Sequence, residues 1–418
     1  MIAVPNTTIF TEICFNLMAI MENNSIQKIK AAWPKALNIL WFMLPAAFAM
    51  IKYSLGPKAY NNYLIYKHVF LNIIRNANLY DFYPGLYLYQ NHYGPSFSLI
   101  IAPFAVLPDA IGIVLWCLAN ALFLFYAIKK LPLDRNAIQM VMSISLLEMC
   151  GSIQSQQFNP MLCSWIILAF VHAINGRTST AAFFISGGFL VKLYGVVGLL
   201  FTPFSGRYRS MAIWMIVTMG ILVCIPMLYA DVSFVLHAYV DWYHRLLGKN
   251  QENIMTNFTD GMQDISAMGM TRRITGISSL SNLLFLIPAG VLTLLPLLKR
   301  KYYDDNRFRI FYLAQVLIGL VIFSTSAESP TYVIAVTGFA IWYAALGEER
   351  PQWMKWMLVL LFLLTILSST DIFPLYIRKT LIKPYALKAL PCVLAWLVIT
   401  YQLLFYRGRG IDTKQTAG

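Results

Sequence analysis

Asp81 is the sole carboxylate between Gly56 and Pro108, and it shares that stretch with Lys67, His68, Arg75 and His92. A carboxylate can take the proton from an attacking hydroxyl, and cations can hold a departing phosphate. The stretch therefore carries the parts of a transfer from a phosphate leaving group, with Asp81 as base and Arg75, His68 and His92 as ligands. The plain alternative is that Asp81 caps a turn while the basic side chains reach towards lipid headgroups.

Four other groups carry reactive or polar types in apolar surroundings. Gln154, Gln156, Gln157 and Asn159 interrupt two apolar runs. Amides in lipid need partners, which either a hydroxyl-rich sugar or a neighbouring helix would supply; Glu148, shortly before them, has the same two readings. Lys192 lies in an apolar run between Gly187-Gly188 and Tyr194-Gly195. Such a lysine either snorkels or marks a function, and the glycines favour a ligand for a lipid-linked phosphate. Arg272-Arg273 is either a phosphate grip or a solvated loop end. Glu328-Ser329-Pro330-Thr331-Tyr332 puts an acid at a span end, or simply stops and restarts a helix. No Gly-rich phosphate loop, HExxH or GxSxG motif occurs.

These groups must be positioned by membrane helices. The 418 residues are 59% hydrophobic and 12% charged, with mean hydropathy +0.62, against roughly 45–50% and 25% in soluble domains. The net charge of +14 fits Lys and Arg gathered in cytoplasmic loops better than nucleic-acid binding. The six cysteines form no CxxC pair and read as small apolar residues, not as metal ligands or disulfides. Residues 1–21 lack a convincing secretory signal, and Met18 or Met21 is a candidate start.

With about 20 apolar residues per crossing, spans are expected near residues 36–55, 110–128, 136–147, 161–174, 211–229, 277–298, 310–325, 332–346, 353–369 and 386–405. Residues 178–203 have basic flanks on both sides, which predicts a broken, hairpin-like pair of half-helices around Lys192. Residues 61–76 read as an amphipathic helix on the membrane surface, and residues 96–107 as an apolar segment too short to cross. The expectation is an all-α polytopic membrane protein of about ten to twelve transmembrane helices. It comprises a lead-in (1–35), a membrane domain (36–405) and a tail (406–418). Basic loops fall on the cytoplasmic side except Arg378, Lys379 and Lys383. The large loops, 56–108 and 230–276, fall on the outer side.

Several passages resemble glycosyltransferase family 87, the bacterial polyprenyl-phosphate-sugar-dependent transferases. They are Asn78-Leu79-Tyr80 running into Tyr93-Gly94-Pro95-Ser96-Phe97 and residues 102–108; Leu115-Trp116 with Asn120; Gln157-Phe158-Asn159; and Val191-Lys192-Leu193. Ser329-Pro330-Thr331-Tyr332 adds to them, and the likeness covers most of residues 36–345. The resemblance implies a C-type glycosyltransferase bundle whose outer-face loop carries an interfacial helix. It implies a polyprenyl-phosphate sugar donor, a glycan or lipid acceptor, no metal or cofactor, and a bacterial inner-membrane location. It also implies transfer of a hexose such as mannose; on the residues themselves, Asp81 is the expected base, with Gln157, Asn159, Lys192, Arg272 and Arg273 among the expected substrate ligands. The family often places an acid soon after the first span, where this chain has Asn61-Asn62-Tyr63. That leaves Asp81, an acid between Asp231 and Asp264, or an inactive chain. The competing class is a transporter or flippase of lipid-linked glycan.

Overall fold

A computed structural model describes residues 24–255 and 263–408, all helical or irregular. The candidate starts, Asp260 and the end of the tail lie outside the described residues. The helices are α1 (Asn24–Ser54), α2 (Asn61–Ile73), α3 (Phe97–Ala105), α4 (Asp109–Lys129), α5 (Arg135–Gln154), α6 (Asn159–Ile174), α7 (Thr178–Val191) and α8 (Tyr208–Cys224). They continue as α9 (Val232–Met255), α10 (Ala267–Thr275), α11 (Leu283–Leu294), α12 (Asn306–Ile322), α13 (Tyr332–Ala345), α14 (Trp353–Leu360) and α15 (Leu390–Leu404). Among the described residues, five helices are long and apolar enough to cross a membrane: Ala31–Ser54, Asp109–Lys129, Arg135–Gln154, Tyr208–Leu228 and Leu387–Leu404. The remaining apolar helices are shorter. Two short ones, α6 and α13, are buried almost all round, so protein rather than lipid surrounds their ends.

The bundle has two chemically different ends. Asn306 Nδ2 donates to Pro132 O at 3.0 Å, Arg207 Nη1 to Gly176 O at 3.3 Å, and Lys299 Nζ to Tyr406 O at 3.3 Å. These contacts gather the basic loops expected in the cytoplasm at one end. Asp134 caps α5 there, accepting from Ala137 N at 2.9 Å, and Asp305 caps α12. Segments 56–96, 155–158, 242–252, 263–265, 324–331 and 368–388 contribute to a common cavity at the other end.

Residues 178–203 form the expected broken hairpin. Helix α7 stops at Val191, Lys192 is extended (φ −149°), and a 3₁₀ segment, Leu193–Ser205, packs back against it. A Cβ on Gly195 would overlap the Gly188 carbonyl carbon and the Phe189 nitrogen, so the two halves touch through backbone. Gly94 N donates to Val191 O at 3.2 Å, tying the first loop to the break beside Lys192.

Helix α2 departs from the surface helix expected. Asn61 and Asn72, polar residues at helical spacing along it, are buried together with Tyr63, Tyr66 and Ile73. Asn61 Oδ1 accepts from Leu88 N at 2.7 Å, and Tyr63 Oη donates to Phe104 O at 2.9 Å. Asn61 thus serves its own loop rather than the membrane surface. Lys67 pairs with Asp109 at 2.6 Å, fixing α2 to the start of α4.

Filling the backbone contact at the hairpin should be destabilising. Overpacking typically costs about 1–3 kcal/mol, so Gly195→Ala is expected to lower the thermal unfolding midpoint in detergent clearly, whereas Gly220→Ala, with open space at its Cβ, leaves it near wild type. Equal midpoints for the two variants would contradict the close approach.

Candidate functional site

Several of the polar residues flagged by the sequence meet in a cavity of about 1640 Å³. Its most connected polar feature is a relay of side chains. Lys192 Nζ donates to Asn159 Oδ1 at 2.9 Å, and Asn159 Nδ2 donates to Gln157 Oε1 at 2.6 Å. Gln157 Nε2 then donates to Glu328 Oε2 at 3.0 Å, while Gln263 Nε2 reaches Glu328 Oε1 at 2.8 Å. Lys192 also stands 4.8 Å from the Tyr194 ring centroid. The relay satisfies polar groups that apolar surroundings would otherwise penalise, and it leaves an ammonium and a carboxylate facing one space.

An aromatic cluster braces the relay. Trp116 and Phe158 stack with centroids 6.2 Å apart, and Phe97 lies 5.8 Å from Phe158. Tyr66 Oη and Tyr93 Oη are 3.0 Å apart. Trp116 Nε1 donates to Gln156 O at 2.7 Å, and Asn120 Oδ1 accepts from Met161 N at 3.3 Å. The passages around residues 93–97, 116–120, 157–159 and 191–193 are thus one contact region.

The wall is strongly cationic: Lys192, Arg245, Lys249, Arg378, Lys383 and Lys388 stand against two carboxylates, Glu252 and Glu328, among the described residues. Arg245, Lys249 and Glu252 share one face of α9, with Arg245 Nη1 2.9 Å from Glu252 Oε1. The Arg245 hydrogen bond holds the Glu252 carboxyl below its usual range. Lys388 is buried on Glu148 at 2.7 Å, and its Nζ also donates to Ser369 Oγ at 2.7 Å and Ser329 Oγ at 3.0 Å. Arg378 and Lys383, the exceptions to the expected charge sidedness, belong to this wall.

Of the residues singled out by sequence, His92, Gln157, Lys192 and the turn Glu328-Ser329-Pro330-Thr331 line the cavity, and Asn159 links Gln157 to Lys192. Others do not reach it. Asp81 and Arg75 are exposed and off the cavity wall. His68 bonds Leu64 O through Nδ1 at 2.8 Å and packs beside Tyr87. Arg272 is buried on Asp264 at 2.7 Å and also donates to Asn282 Oδ1 at 2.8 Å. Arg273 donates to Gln263 O at 2.6 Å and Lys383 O at 3.2 Å. The arginine pair therefore stands behind the wall, supporting the segment that carries Gln263, and does not present itself to a ligand. Sequence reasoning passed over Lys388, Arg245 and Lys249. The spacing of Arg245, Lys249 and Glu252 along one helix face was the available signal for two of them.

An all-helical bundle with membrane-spanning helices and a deep, cationic, amide-lined cavity at one end defines a membrane protein suited to an anionic, hydroxyl-rich ligand. The model of glycosyltransferase family 87 matches residues 91–370, and the chain belongs to that family. It is accordingly a membrane glycosyltransferase, an enzyme that transfers glycosyl groups. No curated protein matches the chain.

Burial pushes the His92 imidazole down to about 3, with repulsion from Arg245, Lys249 and Lys192 adding to the shift. Its unfolded value is about 6.5, so below that pH protons bind the unfolded chain preferentially and stability falls as pH drops towards the folded value. His92→Gln should flatten the decline in unfolding midpoint between pH ~6.5 and ~4. Parallel slopes for wild type and variant would contradict the buried, neutral imidazole.

Proposed function

We propose that this glycosyltransferase moves a hexose such as mannose from a polyprenyl-phosphate donor to a glycan or lipid acceptor at the outer face of the bacterial cytoplasmic membrane. The observation that carries the reading is the excess of cations over carboxylates on one cavity wall, with Lys192 fixed at the end of the amide relay. A donor on a polyprenyl phosphate presents a single phosphate at the membrane surface and an apolar tail that stays in lipid. Cationic donors around such a phosphate stabilise charge as the glycosidic bond breaks, and side-chain amides such as Gln157 and Asn159 suit sugar hydroxyls. The basic loops gather at the opposite end, which the positive-inside rule assigns to the cytoplasm. That supports an outward-facing site. Among the described residues the loops at the cytoplasmic end are too short to form a nucleotide-sugar domain.

The test supplies membranes containing the chain with labelled polyprenyl-phosphate hexose and an acceptor fraction. The expected outcome is label in a new glycoside, reduced about 10²-fold in Lys192→Ala. Movement of the donor across sealed vesicles with no new glycosidic bond would instead favour a flippase and overturn the reading.

A further inference from the structure

The cavity wall offers two carboxylates among the described residues, and only one is free of a cationic partner. Glu252 is clamped by Arg245 and lowered in basicity. Glu328 accepts from neutral groups: the amides of Gln157 and Gln263, one on each oxygen, at 3.0 and 2.8 Å, and the Thr331 backbone N–H in a capping box. A carboxylate has about four acceptor sites, so one remains for a substrate hydroxyl. The amides orient the carboxylate without neutralising it. The backbone is held as well: Glu328 N donates to Thr331 Oγ1 at 3.3 Å, and Thr331 N donates to Glu328 O at 3.0 Å. Asn62 lines the same cavity, and its Nδ2 donates to Ser155 O at 2.8 Å. An amide there cannot take a proton.

We propose that Glu328 is the general base of glycosyl transfer in this chain, an assignment that rests on the functional reading above. The acceptor oxygen forms a bond to the anomeric carbon, and the bond from that carbon to the phosphate oxygen breaks. Its electron pair leaves on polyprenyl phosphate, facing Lys192. The acceptor's proton passes to Glu328 Oε and then to water through the open cavity. The relay keeps the cation and the base apart. Lys192 and Glu328 stand at opposite ends of the Asn159–Gln157 bridge, so the ammonium is not drawn into an ion pair that would silence both.

The experiment measures transfer from polyprenyl-phosphate hexose by the purified full-length chain, alongside binding of polyprenyl phosphate. Glu328→Gln is expected to lower kcat by about 10²–10⁴-fold with donor KM and polyprenyl-phosphate binding near wild type. Glu328→Asp should recover part of the rate, and Asp81→Asn should keep all of it. The acid limb of the wild-type pH–rate profile should disappear in Glu328→Gln. A Glu328→Gln enzyme at the wild-type rate, or one whose loss lies wholly in donor KM, overturns the assignment. Should Glu328→Gln not fold, Glu328→Asp decides: a displaced acid limb supports the base, and an unchanged rate and profile overturn it. If the wild type binds polyprenyl phosphate but moves no label, the functional reading falls and this assignment with it.

Discussion

The structure turns on a lysine placed at a break in a buried hairpin. An ammonium at that depth is costly unless it is bonded, and Asn159 Oδ1 supplies the bond at 2.9 Å. The break exists because α7 and the following 3₁₀ segment touch backbone to backbone at Gly188 and Gly195, leaving Lys192 extended between them. Asn159 in turn sits at the start of α6, held by the aromatic cluster around Trp116 and Phe158. The seam from Gly94 N to Val191 O brings the first loop to the same point. Loosening any of these contacts would release the lysine from the space it serves.

The buried pair of Lys388 and Glu148 at 2.7 Å plays a different part. A buried ion pair adds little net stability, but removing one partner leaves a stranded charge at a cost of about 3–5 kcal/mol. Here the cation also bonds Ser329 and Ser369 on the cavity wall. It therefore locks the turn bearing Glu328 to α5 and to the end of the apolar helical segment that begins at Trp353. Arg272 and Arg273 do the equivalent for the segment bearing Gln263. The turn bearing Glu328 and the segment bearing its partner Gln263 are thus positioned by buried charges, Lys388 from the cavity wall itself and Arg272 and Arg273 from behind it.

Much of this was legible in the sequence. Hydropathy locates the helices, and basic flanks on both sides of residues 178–203 reveal the broken hairpin, because an odd number of crossings cannot join two cytoplasmic ends. Lys192, Gln157 and Asn159 stand out as polar residues in apolar runs, and the family resemblance follows from the passages that meet around them. The base was harder to read. Proximity in sequence favoured Asp81, the one acid of the first loop, yet the loop folds so that His92 and Tyr93 face the cavity and Asp81 remains exposed. Glu328 comes from a turn far along the chain, and nothing local distinguishes it from a helix restart. Arg272-Arg273 misled for a similar reason: a paired basic site looks the same in one dimension whether it grips a ligand or a carbonyl. The amphipathic pattern of residues 61–76 was real, but Asn61 within it serves the chain's own loop.

The most direct measurement is an experimentally determined structure of the full chain in a lipid nanodisc with polyprenyl phosphate bound. The account predicts phosphate density within hydrogen-bonding distance of Lys192 Nζ, inside the cavity and on the same side as Glu328, with the isoprenoid tail leaving towards lipid. Phosphate density outside that cavity, against Arg75 and the exposed face of the Asp81 turn, would contradict it.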